Sequence, residues 1–338
     1  MRLMAVSQCR PGDVVADVIW SREGTVLADR KEALTEGVIQ RMVETGPDVV
    51  PIAWPGWEGV RPYWWLPDSL IAPLRSWAER GLSALDAPGL AQARYLALQL
   101  IDQFPIGERR PFEWIPLYHG GNPALVAWVN TIGLTIKLTQ AVDWHWVEDY
   151  ALAAVLVGLE MQIADRSVSS PSHARMAELT SRVRPLSALA ATTRAAIAQH
   201  HARWDGSGEP PHQGEKIYAG ARILGLAEFI NSLLYCTDEA PLPVNEALEW
   251  VVGGAGIDFP LELIRTLQRT AAPYPVGTVV QLGNGEVGVV LENPHDWPSR
   301  PQIRILNGKY SGREFKLKDP DQHVRVITGF YNGRDVPS

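Results

Sequence analysis

The sequence predicts a mainly helical fold, with a central α domain flanked by a small N-terminal α+β unit and a small C-terminal antiparallel β unit. Three observations carry that expectation. From about residue 68 to 270, leucine- and alanine-rich segments place apolar residues three and four apart, the spacing of one helix face. Residues 1–53 instead alternate short β-branched runs with glycine turns. Beyond Pro273-Tyr274-Pro275 the β-branched texture returns, broken by Gly283-Asn284-Gly285, a turn that favours positive φ.

In the first unit, Asp13–Trp20, Thr25-Val26-Leu27 and Val49–Ile52 read as strands and residues 34–44 as a helix. The passage from Trp54-Pro55-Gly56-Trp57 to Arg61-Pro62-Tyr63-Trp64-Trp65-Leu66-Pro67 repeats proline too often for a continuous helix or a central strand. A boundary is placed there, which gives domains at 1–58, 59–272 and 273–338. Trp54, Trp57, Trp64, Trp65 and Trp77 crowd this region, and buried packing is the expectation for such large rings. The helical stretch is interrupted by Gly, Pro, Asn and Ser clusters near 105–123, 165–173 and 205–214. In the tail, Val276–Leu282 and Glu286–Leu291 read as a hairpin. Gln302–Leu306 and His323–Ile327 read as further strands of a small sheet or barrel.

The chain has 338 residues, 46% hydrophobic and 20% charged, the usage of a protein folded throughout its length. Its net charge of -7 gives no overall basic footprint for nucleic acid or an anionic membrane. Lys309, Arg313, Lys316 and Lys318 cluster, but Asp319 and Asp321 follow at once, so a solvated mixed-charge face is expected and nucleic-acid binding is not. The run Ala151–Leu159 is too short to span a bilayer and reads as buried helix. With no apolar leader at Met1–Ser7 and only Cys9 and Cys236, a cytoplasmic location without disulfides is expected.

The densest chemistry is His200-His201-Ala202-Arg203-Trp204-Asp205-Gly206-Ser207-Gly208-Glu209-Pro210, then Gly214-Glu215-Lys216-Ile217 and Gly220-Ala221-Arg222-Ile223-Leu224. Two imidazoles at a helix end can ligate metal ions, although for such a pair taken alone a solvated helix end is the favoured reading. Asp205 can turn its carboxylate onto nearby backbone amides, and Gly206 and Gly208 permit positive φ.

Taken together these residues resemble the second half of the HD-GYP family, the cyclic di-GMP phosphodiesterases. Its pattern reads His-His-Glu-Arg-Trp/Tyr-Asp-Gly-Ser-Gly-Tyr-Pro, then Gly-Glu-Xaa-Ile, then Ala-Arg-Ile-Leu. The likeness extends to Gly253–Phe259 and Tyr274–Val280 and covers roughly residues 95–292. The resemblance implies an HD-type helical bundle holding two or three metal ions, which activate water and neutralise phosphate.

Measured against that pattern, His200, His201 and Glu228 retain metal-ligand positions, while Ala127, Val157, Gly158 and Arg184 stand where ligands are lost. Val157 and Gly158 replace the His-Asp signature itself, and Met161 replaces its closing lysine. Arginine, permanently protonated, cannot ligate. Glu209 replaces the tyrosine of Gly-Tyr-Pro, and Leu234–Glu239 replace an Arg-containing stretch that follows in the family.

No metal cofactor is therefore expected. The expected function is a non-catalytic signalling scaffold, and the family's contacts imply a protein partner such as a diguanylate cyclase. Two alternatives stand beside it. One is a sensor that binds cyclic di-GMP without cutting it, with Arg203, Lys216 or Arg222 meeting phosphate and tryptophans stacking on bases. The other is residual hydrolysis on iron or manganese, recruiting a further ligand such as His119, His145 or His173.

Overall fold

The structure, a computed structural model, describes residues 2–21, 24–47, 49–53, 57, 59–60, 65–115, 123–160, 173–235 and 241–331. Trp54, Trp64, His119, Met161 and the segment 236–239 lie outside the described residues, as does the side chain of His173. By backbone contacts the chain divides into two compact units. One comprises residues 1–64, 109–122 and 271–338, and the other residues 65–108 and 123–270.

In the first unit, β1 (Arg2–Ala5) pairs antiparallel with β4 (Val49–Ile52), and β2 (Ile19–Trp20) with β3 (Val26–Ala28). Thr35 starts α1 (Glu36–Thr45) by accepting the Val38 N–H, an N-cap that satisfies one of the free first-turn donors. Val38 and Met42 of α1 then join Met4, Val15, Ile19, Leu34, Val50 and Ile52 in one apolar cluster.

The same unit contains an open five-stranded antiparallel sheet in the order β8 (Glu314–Lys316), β7 (Gln302–Ile305), β6 (Val287–Glu292), β5 (Val279–Leu282), β9 (Ile327–Phe330). The β5–β6 hairpin turns where the sequence predicts it, with Gly285 at φ +85° and the Leu282 N–H on the Glu286 carbonyl. Val280, Leu282, Val290, Ile303, Ile305 and Leu317 fill one side of the sheet. Trp57 packs with Val279, Val287 and Val289.

The predicted strand at His323–Ile327 is corrected. A turn through Pro320–Gln322 carries on to the Arg325 N–H on the Gln322 carbonyl, leaves Val324 83% exposed and delays β9 to Ile327.

Glu113 pins the sheet to the 109–122 segment of this unit. Its two oxygens accept the Val276 N–H and the Asn293 Nδ2–H, each at 3.0 Å. Burial pushes this carboxyl above its ordinary range, against the opposing pull of those two donors. Glu113→Ala strands both donors and is expected to cost about 2–4 kcal/mol in chemical denaturation. The neutral acid is favoured in the fold. Its contribution is therefore complete below the ordinary glutamate range and is lost as pH rises through the raised value, and Glu113→Gln should remove that slope from the pH profile of stability.

The second unit is helical: α2 (Asp68–Glu79), α3 (Ala87–Ile101), α4 (Pro123–Asp143), α5 (Val147–Val157), α6 (His173–Val183), α7 (Ala191–Gln199), α8 (Ala219–Tyr235), α9 (Val244–Gly253) and α10 (Leu261–Thr270). α4 is the central helix. It is buried without interruption from Ala124 to Ile136 and packs on α3, α5, α8 and α10. Among the described residues, Pro123–Val157 is the one helical stretch long and apolar enough to cross a membrane, and 78% of its most apolar window is buried inside the protein, which marks it as core. Ala151–Val157 is buried helix, as expected. Trp65 and Trp77 are core residues. The Trp77 indole donates to the Gly89 carbonyl and stacks on Trp128 at 6.0 Å.

Candidate metal centre

Three chain segments converge at one point of the helical unit. α5 ends at Val157 and the chain continues for three residues as a tight turn, in which the Glu160 N–H reaches the Val157 carbonyl. α7 ends at Gln199, and His200 keeps helical backbone angles as its C-cap. Glu228 lies on the buried face of α8.

Glycine lets these segments meet. A Cβ on Gly225 would stand 2.1 Å from the His200 carbonyl oxygen, so only glycine allows α8 this close to the end of α7. One turn earlier Gly220 plays the same part against the Tyr150 ring of α5, at 2.5 Å.

The result is a cluster of Glu160, His200, His201 and Glu228 in which one potential ligand atom from each lies within 4.8 Å of all the others. His201 Nε2 is 3.1 Å from Glu228 Oε2, and His200 Nε2 is 3.3 Å from that oxygen and 3.8 Å from Glu160 Oε2. Side-chain exposure is 1% for Glu160, 0% for His200, 8% for Glu228 and 11% for His201.

His200 Nδ1 lies 2.7 Å from the Ile197 carbonyl, an acceptor only, so Nδ1 carries the proton. Nε2 of the neutral ring is then a bare lone pair aimed at two carboxylates. Burial drives the His200 pKa down to about 4, which keeps the ring neutral, and lifts Glu160 well above the ordinary carboxylate range, helped by the charge of Glu228. Glu228 moves the other way. Burial opposes its charge, but His200, His201 and Arg203 together hold it below its ordinary range. Both oxygens of Glu160, His200 Nε2 and Glu228 Oε1 are buried without a hydrogen-bond partner.

The cluster contains the three retained positions named from the sequence and adds Glu160, which sequence reasoning passed over. The only signal for it was an acid closing an otherwise apolar run, Val155-Leu156-Val157-Gly158-Leu159-Glu160. None of the substituted positions reaches the cluster. Ala127 and Val157 are buried in packing, and Arg184 is exposed beyond the end of α6. Gly158 lies under the Trp128 indole, whose Nε1 donates to the Ala154 carbonyl, so that a Cβ there would stand 2.2 Å from the ring. His145 is exposed and pairs with Asp143 at 2.8 Å, away from the cluster.

The loop after His201 is built much as the sequence implies. Asp205 accepts the Ser207 N–H, and Gly206 has φ +89°. Gly208 is a correction, because it is not among the positive-φ residues. Its Cβ would stand 2.2 Å from the His201 carbonyl, so glycine is required there for close approach and not for its dihedral. The backbone N–H groups of Trp204 and Asp205 reach the carbonyls of Asp258 and Ile257.

Arg203 lies between the rings of Phe229 and Phe259, at 5.2 and 5.3 Å. Arg222 stacks on Trp204 and pairs with Glu215 at 3.0 Å. Lys216 and Glu209 are exposed and Pro210 is half-buried. These side chains are therefore spread over the loop and α8, and do not converge on one pocket.

Residues 279–319 match the profile of a family described as a KOW domain associated with an HD domain. No curated protein matches the sequence. Among solved structures, the chain is similar to the HDG"Y"P protein Bd1817 of Bdellovibrio bacteriovorus, at 13% identity and a TM-score of 0.49 over 78% of this chain and 97% of that one. It is also similar to a cyclic GMP-AMP specific phosphodiesterase of V. cholerae, at 15% identity and a TM-score of 0.27 over 60% of this chain and 48% of that one.

Proposed function

We propose that the helical unit is an HD-GYP-like module that holds one first-row divalent cation through Glu160, His200, His201 and Glu228, and that it serves signalling without hydrolysing a cyclic dinucleotide. The single observation that carries this reading is the bare Nε2 of His200 aimed at two buried carboxylates. Two imidazoles and two carboxylates form a nitrogen and oxygen donor set suited to iron, manganese or zinc, and the partnerless atoms of Glu160, His200 and Glu228 fit such an ion.

When bound, a cation of this kind supplies Lewis acidity, and it lowers the pKa of water only where its ligand set leaves a position open. The chain's own residues orient the donors. The Ile197 carbonyl fixes the His200 tautomer, and Gly225 brings α7 against α8. The match of residues 279–319 to a domain that accompanies HD domains supports the family reading.

The case against hydrolysis rests on the positions that offer no donor. Ala127, Val157 and Gly158 cannot bridge a second ion, and the space beside Gly158 is taken by Trp128. A protein partner in cyclic di-GMP-type signalling, such as a diguanylate cyclase domain, fits a module that keeps its loop and loses its turnover.

Elemental analysis of protein purified anaerobically without chelator, run beside a cyclic dinucleotide hydrolysis assay, tests the reading. About one metal ion per chain with no hydrolysis is the expected result. Two ions with turnover would restore the phosphodiesterase, and no metal at all would remove the site.

A further inference from the structure

From the way the cluster is enclosed, and resting on the cation reading above, we infer that the cation is a structural clamp: a single ion in a closed four-ligand site that ties the end of α5, the end of α7 and the middle of α8 together, with Glu160 as the ligand that recruits α5. Structural sites differ from catalytic ones in completing their ligand set from the protein and leaving no position for water or substrate.

Here four protein donors are supplied, and the most exposed of the four side chains is 11% accessible. The turn that carries Glu160 is held from both sides. Its backbone continues the hydrogen bonding of α5, and Trp128, itself fully buried, covers Gly158. No side chain other than glycine fits under that indole, so α5 offers the cluster one carboxylate and no second.

The three segments lie far apart in sequence, at 160, 200–201 and 228. An ion that binds only when all three are assembled shifts the folding equilibrium by mass action. The same enclosure separates this role from turnover, since a substrate phosphate would need an open face of the ion.

The experiment uses the full chain, first stripped with chelator, then titrated separately with Mn²⁺, Zn²⁺ and, under anaerobic conditions, Fe²⁺. Stoichiometry, thermal midpoint and, for Mn²⁺, water-proton relaxation are read together. One ion per chain should raise the midpoint by roughly 5–10 °C at a hundredfold excess over Kd, and bound Mn²⁺ should show no relaxation enhancement from exchanging water. Glu160→Gln, close in shape to the native residue, should lose most of that rise while still folding.

A single ion that leaves the midpoint unchanged, or one that relaxes water strongly, overturns the clamp and leaves the cation reading standing. Two ions per chain overturn the closed mononuclear site in the same way. Failure of all three metals to bind overturns both.

Discussion

Gly225→Ala should abolish the proposed cation binding and lower the protein's stability by up to roughly 2 kcal/mol, although alanine is the better helix former. The two effects oppose one another, and magnitude decides between them. In a helix interior the exchange of glycine for alanine gains about 1 kcal/mol. Against that gain, the new Cβ would stand 2.1 Å from the His200 carbonyl oxygen, a backbone atom that no side-chain rotation can move aside. α7 and α8 must then part by about an ångström, and overpacking of this kind costs roughly 1–3 kcal/mol and occasionally more.

The displacement falls on the segment that carries His200 and His201, so the donors leave Glu228, whose Oε2 now lies 3.1 Å from His201 Nε2. Gly253→Ala, where a Cβ meets nothing within 4 Å, serves as the control and should keep both stability and metal content. An unchanged midpoint and unchanged metal content in the Gly225 variant would show that the two helices have room between them and that the approach described here is wrong.

The same residue shows where the sequence was legible and where it was not. Helical periodicity between 68 and 270, the Gly283-Asn284-Gly285 turn and the paired histidines are local signals, and each appears in the structure as a helical unit, a hairpin and a helix end. Gly225 carries no local signal. Its meaning lies in what packs on it, a carbonyl twenty-five positions away.

Glu160 is a similar case. Position-by-position comparison with a family pattern directs attention to Val157 and Gly158, where ligands are absent, and away from the acid two residues later that the tight turn swings back into the cluster. The failed strand at His323–Ile327 has a related cause. Its β-branched residues are real, but a turn formed by Pro320-Asp321-Gln322 fixes where the strand begins.

In the cyclic di-GMP sensor alternative, Arg203 and Arg222 would meet phosphate. In the structure each is stacked on aromatic rings, so its charge is already engaged. A phosphate-binding role for either would have to compete with that stacking.

An aspartate placed at Gly158, where the signature that the sequence resembles has one, should be rejected for a steric reason before any chemical one. Gly158 has ordinary helical angles, φ −56° and ψ −22°, so its backbone accepts any residue and no dihedral strain arises. The obstacle is the Trp128 indole, 2.2 Å from the Cβ that Gly158→Asp would introduce. That ring is fully buried, bonded through Nε1 to the Ala154 carbonyl and stacked on Trp77, so moving it aside breaks those contacts.

The clash, added to the burial of a carboxylate, should cost roughly 4 kcal/mol or more in equilibrium unfolding. Trp128→Ala alone opens a cavity and should cost about 3–5 kcal/mol. The double variant tests the cause directly. If the indole is the obstacle, the two losses do not add, and a double-mutant cycle should return a favourable coupling of about 1–3 kcal/mol. Strict additivity would mean that the aspartate is rejected by something other than Trp128. A coupled double variant that takes up two metal ions would show that a tryptophan side chain, and not the rest of the bundle, limits this unit to the single ion proposed.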